Sequence, residues 1–256
     1  MKTANVTSIR VQIQDHTLHA RVVTHQTTRN AVPIILVHGV AVSSHYMLPT
    51  IKELGKFYTV FAPDLPGYGE SDKPSQILTI QELADALLAF MQAMHIKKAV
   101  LLGNSFGCQI IVDFALRYPQ FITRAVLVSP TMDPQARTLL QEIWRLLVDA
   151  THEPLSYFPV VLQEFLTVGA RRTIQTTEYG LEDAMEKKLQ RMHVKTLVIR
   201  GEHDALVSQQ WVKRLTKLLP HAELSVIQKA AHVAHFSHPQ ALTEEVRKFL
   251  QREKKV

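Results

Sequence analysis

Ser105 is the residue whose surroundings point most directly to covalent chemistry. It stands in Gly103-Asn104-Ser105-Phe106-Gly107, after the apolar run Ala99 to Leu102 and before an apolar helical stretch. A buried strand, a turn bracketed by two glycines and a helix form the context of a nucleophile elbow. The turn is tight enough to strain the serine backbone, and side chains at 103 and 107 would collide with the neighbouring strand or helix. The hydroxyl is lifted out at the positive end of the helix beside it. A serine hydroxyl attacks poorly until a base takes its proton, and that base needs a third group to orient it. Both are available downstream. Asp204 lies in Gly201-Glu202-His203-Asp204 after an apolar strand, and His232, His235 and His238 follow the last strand in an H-x-x-H-x-x-H-P segment.

The elements that must position these residues can be read from apolar periodicity. Residues 5–14 and 17–24 alternate roughly with period two around Asp15-His16, an antiparallel hairpin at a sheet edge. Pro33 to Val37 is continuously apolar and β-branched, as in a strand buried on both faces. Further strands are expected over 57–62, 99–102, 124–129, 195–201 and 223–227. Helices are expected over 44–56, 79–95 with Thr79 as N-cap, from the elbow to Tyr118, and over 208–219 and 239–252. Asp64 to Asp72 is a loop forced by Pro66, Gly67 and Gly69. Short apolar strands alternating with helices give a mostly parallel eight-stranded sheet covered on both faces, an α/β fold.

Residues 131–190 break this rhythm. They contain no β-run but show helical patterns over 134–150, 154–169 and 178–191, and some sixty residues is too long for one connection. A helical cap between two strands, lying over the carboxyl edge of the sheet, is expected there. It separates core segments 1–130 and 191–256.

The bulk properties narrow the function. The chain has 256 residues, 46% hydrophobic and 20% charged, enough for a sizeable core and too apolar for disorder. Its net charge is +6 and its pI about 9.4. No Lys/Arg run is dense enough to track phosphates, so no nucleic-acid partner is expected; the cluster Arg247, Lys248, Arg252, Lys254, Lys255 reads as a solvated helix face and tail. Residues 131–190 hold six Lys/Arg and nine Asp/Glu, net −3, so the remainder carries +9. The single cysteine, Cys108, suits a reducing compartment and reads as a small buried helix residue. The N-terminal segment has no signal-peptide core, and no run reaches the ~18 apolar residues of a membrane span. A cytoplasmic protein without a membrane partner is expected. Thirteen histidines occur without H-E-x-x-H or Cys/His ligand spacing, and no Rossmann phosphate fingerprint is present, so neither metal nor cofactor is expected.

The order Ser…Asp…His, each residue on a loop after a strand, resembles the α/β-hydrolase superfamily. The match spans nearly the whole chain. It includes His38-Gly39 after the third strand, the D-L-P-G-Y-G-E-S-D loop, the elbow, the G-E-H-D loop and the histidine-rich ending. The resemblance implies Ser105 as nucleophile, His232 as general base and then acid, and Asp204 as orienting carboxylate. It implies an oxyanion hole from the backbone N–H groups of Val40 and Phe106. His235 and His238 compete with His232, and Asp133, after the sixth strand, competes with Asp204; the family's pattern favours His232 and Asp204. Asp133 is then expected to cap the first helix of the insertion. His38 is expected to be structural, Asp64 and Ser71 to hold their loop, and His235 to be a pocket-wall or structural residue.

Serine at the elbow disfavours the epoxide-hydrolase and dehalogenase chemistries of relatives that carry Asp there. The resemblance implies a serine hydrolase acting on carboxylic esters, a small-molecule substrate whose hydrophobic group would meet Trp144, Tyr157, Phe158, Phe165 and Met185 of the cap. K-A-A-H-V-A-H-F-S-H-P locally resembles the ending of the methyl-ester esterases of biotin synthesis. The same triad serves meta-cleavage C–C bond hydrolases and lactonases, and some superfamily members act as ligand-sensing signalling proteins. Monomer and homodimer stay open.

Overall fold

The computed structural model describes residues 5–13, 15–25, 32–135 and 138–252. Eight strands form one sheet. They are β1 (Thr7–Ile13), β2 (His16–Val23), β3 (Ile34–Val37), β4 (Val60–Pro63), β5 (Ala99–Asn104), β6 (Ile122–Val128), β7 (Thr196–Gly201) and β8 (Ala222–Ile227). Their order is β1-β2-β4-β3-β5-β6-β7-β8. β1 pairs antiparallel with β2, and β2 with β4, while every pairing from β4 to β8 is parallel. The hairpin thus forms the sheet edge that its alternation predicts, with Gln14 outside the described residues.

The continuously apolar strands are buried on both faces because each face meets helices. Ile35, Val37 and Leu101 pack in one cluster with helices α2 (Ile80–Ala93), α3 (Phe106–Arg117) and α8 (Gln209–Leu218). Ile34, Leu36 and Leu102 pack in the other, with α1 (Leu48–Leu54) and α10 (Pro239–Gln251). Thr79 caps α2 in a full capping box with Glu82. α1 is shorter than the expected 44–56. Residues 44–47 are diverted into turns, with the Ser44 N–H bound to Asp64 Oδ1 at 2.7 Å, and the helix starts where Pro49 fits its first turn.

Between β6 and β7 lie α4 (Leu139–Ala150), α5 (Tyr157–Val168), α6 (Ala170–Glu182) and α7 (Met185–Lys188), then a 3-10 turn at Leu189–Arg191. The single helix expected over 178–191 is instead divided between the end of α6, which begins eight residues earlier and stops before Asp183, and α7 with the 3-10 turn. Gly169 separates α5 from α6 at φ +86°, a backbone angle that L side chains rarely adopt. Residues 136–137, within the first expected helix, lie outside the described residues, and α4 begins after them with Thr138 as its N-cap. Asp133 does not cap this helix: its Oδ1 accepts the Gln135 N–H at 3.0 Å and its Oδ2 the Ser208 hydroxyl at 2.8 Å. A short α9 (Ala234–Ser237) precedes α10. On α10, Arg247 and Lys248 pair with Glu244 and Glu245, and Arg252 just beyond it with Glu223. Lys254 and Lys255 lie outside the described residues.

Candidate active site

β5 runs into the turn at Ser105, whose backbone sits at φ 55° and ψ −123°. For a non-glycine residue that is a costly conformation, kept only because its surroundings over-determine it. A Cβ on Gly103 would lie 2.7 Å from the Gly107 carbonyl carbon, and one on Gly107 would run into the carbonyls of Val37 and His38. Both glycines are therefore required by contact, as the spacing predicts. The Ser105 N–H is tied to Val128 O at 2.9 Å, and its Oγ lies 3.5 Å from Thr131 Oγ1.

Asp204 and His232 come together from loops after β7 and β8. His232 Nδ1 lies 3.2 Å from each Asp204 carboxylate oxygen. Gly201 allows the two loops to touch, because a Cβ there would meet the carbonyls of Ala231 and Ala230. Arg200, a residue that sequence reading passes over, is buried and donates to the carbonyls of Asp204 (2.6 Å), Val207 (2.7 Å) and Gly201 (2.7 Å). It holds the Asp204 loop through its backbone and leaves the carboxylate free for His232 and for the Val207 N–H at 2.9 Å. Burial works against both charged forms. It is outweighed at Asp204, held below the usual carboxylate range by His232 and the Val207 N–H. It is outweighed at His232 too, which Asp204, Asp149 and Glu153 raise to about 9.

The loop after β3 carries Val40. Val40, Ser105, Phe106 and His232 line one cavity of about 290 Å³. The loop is braced from beneath. His38 is buried, its Nδ1 2.8 Å from Gly39 O and its Nε2 accepting the Leu65 N–H, and burial lowers its pKa. The Tyr46 hydroxyl accepts the Gly39 N–H at 3.0 Å and donates to Asn104 Oδ1 at 2.7 Å, joining this loop to the elbow. Asp64 gathers His19, the Ser44 N–H and the Glu70 N–H, while Ser71 bonds to Asp64 O and the His19 N–H. Cys108 is fully buried, with burial pushing its thiol pKa up.

The inserted helices present only some of the expected side chains. Phe165 and Tyr157 line the cavity, but Trp144 and Phe158 do not; Trp144 is 67% exposed. Met185 is buried in the core beside α3. His235 is not a wall of the cavity. It is enclosed against the Tyr46 ring at 4.4 Å, and burial lowers its pKa to about 3. A neutral, enclosed ring suits packing, not contact with substrate. Thr131, Met132 and Leu146 line the cavity in their place, and so does Glu142.

Glu142 belongs to a carboxylate set that apolar periodicity conceals. Glu142, Asp149 and Glu153 are all buried. Asp149 accepts the N–H groups of Ala205 (3.0 Å) and His232 (3.3 Å), and Glu153 accepts that of Val233 (2.7 Å). Burial raises all three pKa values, with Glu142 and Glu153 reaching about 7. The acidity of this segment therefore points at the histidine loop. Among the described residues no group of three or more His, Cys, Asp or Glu could hold a metal ion, and no helix is long and apolar enough to cross a membrane.

The alpha/beta hydrolase family profile matches residues 34–245. The chain belongs to that family. It is 25% identical to the carboxylesterase YbfK of Bacillus subtilis (strain 168) over 241 residues, 87% of this chain and 81% of that one. The solved structure of a membrane phospholipase A, described as a bacterial virulence factor, superposes with a TM-score of 0.81 at 19% identity, over 98% of this chain and 87% of the other. The 2-hydroxy-6-oxo-6-phenylhexa-2,4-dienoate hydrolase of Rhodococcus sp. strain RHA1 superposes with a TM-score of 0.77 at 21% identity, over 97% and 100%. At these identities the two structures establish a shared fold. In this chain that fold is an eight-stranded, mostly parallel sheet with helices on both faces.

Proposed function

We propose that the protein is a serine hydrolase of carboxylic esters with Ser105 as nucleophile. The observation that carries this reading is the strained Ser105 opening into the cavity shared with His232, whose other ring nitrogen faces Asp204. The similarity to a carboxylesterase over most of both chains supports the ester as substrate. In this mechanism His232 Nε2 takes the Ser105 proton as Oγ attacks the acyl carbon, while Asp204 stabilises the imidazolium. The backbone N–H groups of Val40 and Phe106 face the negative charge that develops on the carbonyl oxygen. Collapse expels the alcohol with the proton from His232. Water, deprotonated by His232, then releases the acid and regenerates Ser105. The helices between β6 and β7 act as a cap that walls the cavity with Leu146, Tyr157, Val161 and Phe165.

The test is hydrolysis of p-nitrophenyl esters of increasing acyl length by the wild type and Ser105→Ala. Turnover with an optimum at short to medium chains, lost in the variant, is expected. Failure on every ester while a fluorophosphonate still labels Ser105 would mean a live nucleophile and a different substrate bond.

A further inference from the structure

The cavity over Ser105 has largely apolar walls but contains one carboxylate, Glu142, which is 95% buried by its 5% exposure. Its Oε1 has no hydrogen-bond partner among the described residues. Leaving a buried carboxylate oxygen unpaired is unfavourable unless something else meets it. The other inward carboxylates nearby each hold at least one group of the chain, although Glu153 Oε2 and Glu164 Oε2 are also unpaired among the described residues. Asp149 holds two backbone N–H groups, Glu153 holds one, Glu164 faces His45 Nδ1 at 3.2 Å, and Asp133 accepts the Ser208 hydroxyl. Arg145, the cationic side chain on α4, donates to Leu206 O at 2.9 Å and lies 3.7 Å from Asp133, and it acts on Glu142 through its charge alone. Among the described residues, Glu142 is the carboxylate that lines the cavity, and its Oε1 is left without a partner.

We propose that Glu142 determines specificity for esters that carry a protonated amine, whose N–H donates to the Glu142 carboxylate. The proposal rests on the ester-hydrolase reading of this site. A charge-assisted hydrogen bond in a water-poor cavity is among the strongest a ligand can make. Asp204, Asp149 and Glu153 surround His232 with negative charge, so the site tolerates a second cation while the imidazole is protonated during acylation. Burial holds Glu142 near pKa 7 in the free protein, and a bound ammonium would keep it ionised. An aliphatic ester without the amine would leave the carboxylate unpaired beside its hydrocarbon chain.

Two nearly isosteric esters separate the effects: 2-(dimethylamino)ethyl butanoate, protonated at about pH 7.5, and 3-methylbutyl butanoate, which replaces the nitrogen by carbon. Calorimetric titration into the Ser105→Ala protein measures binding without turnover. The amine ester is expected to bind ~10–100-fold more tightly than its carbon counterpart. Adding Glu142→Leu should erase or reverse that preference. Glu142→Gln, which keeps the shape and an acceptor but removes the charge, should reduce it severalfold and stands in if the Leu variant does not fold. Equal binding of the two esters, or a preference that survives both substitutions, would overturn the proposal. Turnover of the same esters by the wild type tests the ester-hydrolase reading separately. Amine-selective binding without hydrolysis would leave the Glu142 assignment standing and overturn the ester reading; hydrolysis of both without selectivity would do the opposite.

Discussion

The sheet and the helices inserted after β6 solve opposite problems. In the sheet, apolar side chains point inward: Leu36, Leu101 and Leu102 are fully buried, and the charged groups kept inside, such as Arg200 and Asp204, are satisfied by specific partners. In α4 the polarity is inverted. Its buried residues are Glu142 and Asp149, while Leu140, Ile143, Trp144 and Leu147 are exposed. α5 does so in part, burying Glu164 beside Val168 and exposing Leu162 and Leu166. An amphipathic pattern therefore says which residues share a face, and not which face meets the rest of the protein. The sheet spends its interior on packing, the insertion on charge placed beside the histidine loop.

The largest effects should fall on the residues held by the core. Ser105→Ala is expected to reduce ester turnover by on the order of 10⁴–10⁶-fold, and Asp204→Asn by ~10⁴-fold, both read as kcat with folding checked by circular dichroism. Retention of more than a tenth of the rate in either variant would break the assignment.

Stability should divide along the same line. Leu102→Ala empties space between strand and helices and should cost ~2–5 kcal/mol in urea denaturation. Leu147→Ala, at a side chain 61% exposed, should stay within about 0.5 kcal/mol. Comparable losses at the two leucines would show that α4 is buried in solution by contacts beyond this chain.

The pH dependence of catalysis is the next effect. Asp204, Asp149 and Glu153 raise the His232 pKa, so ester turnover should climb with pH as His232 loses its proton, towards a midpoint near 9. Glu153→Gln keeps an acceptor for the Val233 N–H and removes one negative charge, so that midpoint should move to lower pH. An unchanged midpoint would separate the inserted helices from the histidine electrostatically.

The smallest effect concerns Glu142 and stability. Its folded pKa of about 7 lies above the ordinary carboxylate value, so its favourable contribution is complete below pH ~4.5 and is lost as pH rises through 7. Arg145 and His232 oppose this rise, and Asp133 and Asp204 reinforce it. Glu142→Gln should therefore melt higher than the wild type at pH 8.5 and no higher at pH 5. The reverse ordering would mean that the carboxylate has a stabilising partner in solution.

How far the sequence reveals the site follows from the same contrast. The elbow was legible because backbone contact dictates its glycines and because β5 is apolar without interruption. The loops offered Asp204 or Asp133 and three histidines, the family's pattern favoured Asp204 and His232, and the structure brings those two together. The cavity-lining residues were legible only in part: Tyr157 and Phe165 line it, but treating apolar as inward also places Trp144 and Phe158 there and overlooks Glu142. The interval of seven between Glu142 and Asp149 could have shown that these two carboxylates share a face of α4, whereas Glu153 lies three residues beyond that helix. His235 repeats the three-residue spacing of His232 but falls on α9, packed behind Tyr46. Spacing cannot distinguish a ring that faces the cavity from one that faces the core.

The most direct test is rapid quenching of the wild type with p-nitrophenyl butanoate, followed by peptide mass spectrometry. The account predicts a butanoyl adduct on the peptide containing Ser105, formed at the rate of the p-nitrophenol burst and absent in Ser105→Ala. Turnover with no adduct on Ser105, or with the acyl group on another residue, would contradict it.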